Sequence, residues 1–151
     1  MNFSRLSILL AIVFSFAAHA DDSKIVGTWF SPCKEVTNGS YQTKLMFDAD
    51  GQLVTKDLKF NDLACFTTPT VVESSVPYRI LSETEDSVTF YSKNPIREEG
   101  GLIDFSAEFH FNAINSATLK LVSAKILIGG RSRTLTADEI GQVSTVTYDR
   151  R

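Results

Sequence analysis

Residues Ile103-Asp-Phe-Ser-Ala-Glu-Phe-His-Phe-Asn112 alternate without a break. Ile103, Phe105, Ala107, Phe109 and Phe111 fall on one side; Asp104, Ser106, Glu108, His110 and Asn112 fall on the other. Successive side chains of an extended chain point to opposite faces, whereas a helix repeats every 3.6 residues, so this period of two predicts a strand with one dry and one wet face. The dry face is mostly phenylalanine and needs a partner surface of similar size.

Moving outward, the chain supplies seven more runs of the same kind, separated by turn residues. Ile25–Phe30 ends at Ser31-Pro32-Cys33, and Asn38-Gly39 turns into Tyr41–Phe47. Asp50-Gly51 predicts a hairpin into Leu53–Phe60. Val76–Leu81 and Val88–Ser92 form a further hairpin about Glu85-Asp86, with Pro77 confined to an edge, a bulge or a first position because it lacks an N–H. Lys93–Gly101 is expected to be a loop. Asn115-Ser116 leads into Thr118–Ile128, Gly129-Gly130 ends that run, and Val143–Tyr148 is the last strand. Thr136 and Glu139 have the spacing of a capping box, which predicts one helical turn between the last two strands. The fold class is therefore all-β. Eight antiparallel strands, each with one apolar face, close into an up-and-down barrel and so remove exposed sheet edges. A two-sheet β-sandwich is the alternative.

The chain has 151 residues, 43% of them hydrophobic, with 15 Lys+Arg against 18 Asp+Glu. Its first twenty residues are different in kind. Arg5 precedes the apolar stretch Leu6–Ala18, and Ala18-His19-Ala20 is a small-x-small pattern, so residues 1–20 are expected to be a secretory signal peptide. Residues 21–151 then form a single domain. With Arg5 and His19 removed, the mature chain carries 14 basic and 18 acidic residues and one histidine, His110. That balance, with no basic run longer than Arg150-Arg151, argues against nucleic acid and against docking to an anionic membrane. No stable membrane insertion is expected after cleavage, because no second apolar run approaches the length of a spanning helix. The expected location is the periplasm or the extracellular space.

Cys33 and Cys65 are the only cysteines, and export places them where thiols oxidise. Their pairing would stabilise the fold by about 3 to 4 kcal/mol on the loop-closure model. A zinc site needs more ligands than two Cys and one His provide, and a redox pair favours Cys-x-x-Cys. No metal or cofactor is expected.

Gly27-Thr28-Trp29, near the start of the mature chain, resembles the Gly-x-Trp signature that opens the first strand of lipocalins and related calycin barrels. The resemblance implies that Trp29 plugs one end of the barrel and that a basic residue of the last strand packs over it. Arg150, in phase with Val146 and Tyr148, matches that partner. It further implies an exported binding protein for a small apolar or amphipathic ligand. Phe47, Phe90, Phe105, Phe109 and Phe111 are enough to fill such a barrel, which leaves a second possibility: a closed barrel whose loops bind an envelope protein or inhibit a hydrolase.

Catalysis is not expected. Asp104, Ser106, Glu108 and His110 include every residue type of a hydrolase triad, but Ser106 and His110 lie about 13 Å apart along a strand, far beyond the roughly 3 Å that nucleophile and base require. Neither Asn94–Gly101 nor Gly129-Gly130 has the residues of a phosphate loop. Asn38-Gly39-Ser40 is formally a glycosylation acceptor but reads first as a hairpin turn. Exported protein is expected to begin at Asp21; an intact mass that retains residues 1–20 would overturn the signal peptide.

Overall fold

The computed structural model describes residues 23–96, 100–142 and 145–151. The expected signal peptide lies outside them. Ten strands and one helical turn follow in order: β1 (Gly27–Phe30), β2 (Lys34–Val36), β3 (Gly39–Phe47), β4 (Gln52–Phe60), β5 (Thr70–Glu83), β6 (Ser87–Ile96), β7 (Gly101–Ala113), β8 (Ser116–Ile128), β9 (Arg131–Thr134), α1 (Ala137–Gln142) and β10 (Val146–Arg150).

Eight of the strands form a ring in which every neighbour is antiparallel, running β1-β10-β8-β7-β6-β5-β4-β3 and back to β1. This is the closed eight-stranded barrel, and the sandwich alternative falls with it. The short strands β2 and β9 lie outside the ring count. β2 continues along the β3 edge that β1 occupies lower down, and β9 continues along the β8 edge that β10 occupies.

The lower interior of the barrel holds the hydrophobic core. Cross-strand partners share a face, so the alternation expected for Ile103–Asn112 delivers Ala107 and Phe109 to the same interior as Phe90 and Val88 of β6. Trp29 and Phe109 are fully buried and meet edge to face at 4.8 Å between ring centres. Phe47 lies 5.1 Å from Tyr78 and 5.2 Å from Phe90 in the same geometry, which the ring quadrupoles favour. Val122 is the extra residue of a bulge opposite Ser106/Ala107, and it shifts the inward set of β8 from Ala117 and Leu119 to Ala124.

Local chemistry sets the turns. Asn38 has φ +66° and Gly39 +154°, and a Cβ on Gly39 would come within 2.1 Å of the Phe60 carbonyl, so only glycine lets β3 start there. Asp48 Oδ1 accepts from Gln52 N–H at 2.7 Å and closes the β3–β4 hairpin. The capping box forms as expected: Thr136 Oγ1 accepts from Glu139 N–H, and Glu139 returns a carboxylate to Thr136 N–H at 2.8 Å.

Several boundaries differ from the expectation: β5 begins at Thr70 rather than Val76 because Thr70–Ser75 pairs with β4, and β2 and β9 are added strands. The expected loop Lys93–Gly101 is strand as far as Ile96, because Lys93–Ile96 pairs with β7, where the missing N–H of Pro95 costs no ladder bond on its free side. The last strand runs Val146–Arg150; Val143 and residue 144 lie outside the described residues.

Removing a ring from the packed half should cost far more than removing one from the surface. Phe109→Ala is expected to lower the unfolding free energy by about 3 to 5 kcal/mol. Phe66→Ala, at a residue 90% exposed, should stay within about 0.5 kcal/mol. Equal losses in urea titrations of the two variants would contradict this packing.

Candidate functional site

The upper half of the barrel is built differently. β1 meets β10 only through the pairs Trp29–Arg150 and Phe30–Asp149. Above them the chain steps out at Ser31-Pro32-Cys33, tied back by Ser31 N–H to Thr43 O at 2.9 Å and by Thr43 N–H to Ser31 Oγ at 2.8 Å. It then resumes as β2, which pairs with β3 alone. The upper part of β10 pairs with β8 alone. Between these two strand edges lies a cleft of about 760 Å³, lined by Pro32, Lys34, Val36, Tyr41, Val146 and Tyr148 among others.

Tyr41, Thr43, Val146 and Tyr148 belong to the inward-facing set of their strands, so the cleft leads from the outer wall into the upper interior. A polar cluster waits there. Tyr41 Oη donates to Asp57 Oδ1 at 2.5 Å, and Thr43 Oγ1 lies 3.2 Å from Tyr41 Oη. Burial pushes the Tyr148 phenol up to about 12, helped by the negative charge that Tyr41 and Asp57 would present to it. Tyr41 is raised as well, first by burial and then by the carboxylate it bonds. A smaller notch of about 170 Å³ opens where β5 parts from β6, lined by Thr55, Asp57, Val72, Ser74 and Asn94. Pro77 stands at that parting: it is the last β5 residue opposite β4, and the β5–β6 ladder begins only at Tyr78.

At the lower end, the Arg150 guanidinium carbon sits 5.4 Å from the Trp29 ring centre, and its Nη2 donates to Val26 O at 2.5 Å. The indole N–H of Trp29 donates to Ile25 O at 2.8 Å. Gly27 leaves the room this needs, since a Cβ there would come within 2.9 Å of the guanidinium. Arg151 lies over Phe30, at 5.0 Å.

Cys33 and Cys65 form a disulfide at the upper end. It ties the loop 61–69 to the residue before β2. Ser40 Oγ, at the start of β3, accepts from Cys65 N–H at 3.1 Å and donates to Asp62 O at 2.6 Å. Asp62 organises the loop by accepting from the hydroxyl and N–H of Thr67 and from the N–H of Phe66 and Ala64. Those bonds hold its carboxyl well below the usual range. The loop carries Phe66 almost fully exposed and Leu63 more than half exposed.

On the outer face of β7 the register keeps Ser106 and His110 apart. Ser106 Oγ is 2.7 Å from Ser123 Oγ, Asp104 lies 3.4 Å from Lys93 Nζ, Glu108 faces Lys120 across the ladder, and His110 is exposed between Ser87 and Thr118. Among the described residues no cluster of three or more His, Cys, Asp or Glu is placed to hold a metal, and no helix is long and apolar enough to cross a membrane.

The barrel is compatible with a lipocalin-like fold. No family model, curated protein or solved structure matches the chain. Nothing in the sequence pattern brings the two walls of the cleft together, although the inward phase of Tyr41 and Thr43 with Leu45 and Phe47 is visible in it.

Of the four tyrosines, Tyr148 and Tyr78 are both pushed up to about 12 by burial. A phenol whose pKa is raised by folding keeps its full contribution to stability below the unfolded value near 10 and loses it as pH rises towards 12. Phenolate absorbance should therefore show at least two tyrosines titrating late, with stability falling over that window. Four tyrosines titrating together near 10 in the folded protein would contradict the buried placement.

Proposed function

We propose that this is an exported, non-enzymatic binding protein whose ligand is a small amphipathic molecule held in the cleft between β2 and β10. The observation that carries the reading is the composition of the cleft. Pro32, Val36, Val146 and the Tyr148 ring give apolar contact, and Tyr41, Thr43 and Asp57 stand further in as fixed hydrogen-bonding groups. A few placed polar groups in an apolar concavity of this size are the usual makings of a small-molecule site. The interior around Trp29, Phe47 and Phe109 is filled by their own rings. The hollow of about 470 Å³ at the lower end is lined by Lys24, Glu85, Asp86 and Arg150 with little apolar surface beyond Phe111 and Ile114, so the cleft in the upper wall suits an amphipathic ligand better. Export is supported by the leader pattern of residues 1–20 and by the disulfide, and a binding role is supported by the scattered partners of Ser106 and His110.

One observation favours a second reading, in which the upper loops dock another envelope protein: Phe66 projects from a loop that the disulfide and Asp62 hold rigid.

Dodecyl maltoside below its micelle-forming concentration is a suitable probe. A ligand bound only by the native state stabilises it by RT ln(1 + [L]/Kd), about 2.7 kcal/mol at a hundredfold excess over Kd. A rise in Tm of several degrees is expected, and Val146→Trp, which fills the cleft, should abolish it. No rise across uncharged amphiphiles, or a rise that Val146→Trp leaves intact, would refute the cleft as their site.

A further inference from the structure

The cleft is bounded on both sides by strand edges, and their hydrogen-bonding groups can be assigned. Val36 and Gly39 flank the two-residue turn Thr37-Asn38, so they form a hydrogen-bonded pair, as do Lys34 and Tyr41 two steps on. Glu35, between them, must direct its N–H and C=O away from β3 and towards the cleft. On the other side, Arg150 N–H bonds Asn115 O while Arg151 N–H bonds Thr28 O. Alternation along β10 therefore turns Tyr148 towards β8 and Thr147 towards the cleft. Among the described residues the cleft-facing backbone groups of Glu35 and Thr147 have no ladder partner, and they lie on opposite sides of a space lined inside by the rings of Tyr41 and Tyr148 and by Val146.

From this geometry we infer the ligand class: a short extended peptide segment that enters as the missing wall strand, bonding Glu35 on one side and Thr147 on the other. The inference rests on the reading of the cleft as the binding site. Main-chain pairing supplies affinity in such strand addition, and alternate side chains supply selectivity. Because β2 and β10 run in opposite directions, the inserted segment is antiparallel to one and parallel to the other. Its inward side chains meet Tyr41, Val146 and Tyr148, which calls for apolar residues at every second position.

The cleft's charges point the same way. Lys34 and Glu35 both line it, carry opposite signs, and form no ion pair among the described contacts. Lys34 and Glu35 cancel at the mouth and Asp57 adds a negative charge further in, so the site disfavours an anionic headgroup and suits an uncharged peptide backbone. A second copy of the barrel does not fit, since any edge strand it offers is already laddered to a neighbour and cannot lie between two edges. A free chain segment can.

The test uses a blocked pentapeptide of alternating valine and threonine, and the same peptide N-methylated at alternate amides. The unmodified peptide should raise Tm and slow amide exchange at Glu35 and Thr147 at least tenfold; the N-methylated twin should do neither. Thr147→Pro, which deletes one donor at the cleft edge, should weaken binding of the unmodified peptide while leaving the Phe109 core intact by near-ultraviolet circular dichroism. No binding, binding equal for both peptides, or binding without protection at Glu35 and Thr147 would each overturn the proposal. Dodecyl maltoside separates the failures: if it binds and the peptide does not, only the peptide assignment falls, and if neither binds, the cleft reading falls with it.

Discussion

Everything in this barrel depends on a short pairing between its ends. Among the described residues Trp29–Arg150 and Phe30–Asp149 are the pairs joining β1 to β10, extended by the bond from Arg151 N–H to Thr28 O, and without them the sheet would be open with two free edges. So short a contact is reinforced by side chains. The Trp29 ring is buried among Phe109 and Phe111, its N–H reaches Ile25 O, and Arg150 lies over the ring while donating to Val26 O. The guanidinium satisfies a carbonyl that the strand leaves over and places its stem against apolar surface, so one residue closes both the hydrogen-bond ring and the packing.

That closure divides the molecule into two halves with different tasks. Below it, interlocked rings fill the interior. Above it, β2 and β10 separate on one side and β5 separates from β6 on the other, and the inward positions change from Phe and Leu to Tyr41, Thr43, Thr55, Asp57 and Ser74. A polar upper interior can stand only because it is reached by solvent through those gaps; sealed in, the Asp57 carboxylate would lack the compensation that burial of a charge demands. Solidity at one end is what permits openness at the other.

Much of this was legible in the residues themselves. The unbroken alternation of Ile103–Asn112 placed Phe109 inside, the Asp50-Gly51 and Asn38-Gly39 signals located their turns, and Thr136 and Glu139 marked the helical turn. The eight runs found by pattern are the eight strands of the ring. What escaped were features that arise from pairing rather than pattern. Lys34-Glu35-Val36 is too short and too charged to alternate visibly, and Arg131–Thr134 has no apolar face, so both are strands only because a neighbour's edge is free. Lys93–Ile96 was obscured by Pro95, whose effect depends on which side of the strand is laddered. The cleft could not be read from either of its walls, because Glu35 and Thr147 are more than a hundred residues apart and only the register of two ladders brings them to one opening.

The end-to-end pairing also constrains how the chain acquires its shape. Hairpins β3–β4, β6–β7 and β7–β8 join neighbours in sequence and form from local contacts, but the ring needs residues near 29 to find residues near 150. Loop closure over such a separation is slow, and proteins dominated by distant contacts fold over milliseconds to seconds. Until the last strand is available, the faces bearing Trp29 and Phe109 stay wet. A chain emerging N-terminus first during synthesis would therefore hold its apolar faces exposed until nearly all of it is made, and shielding by a folding helper during that interval would matter more than any rate of hairpin formation.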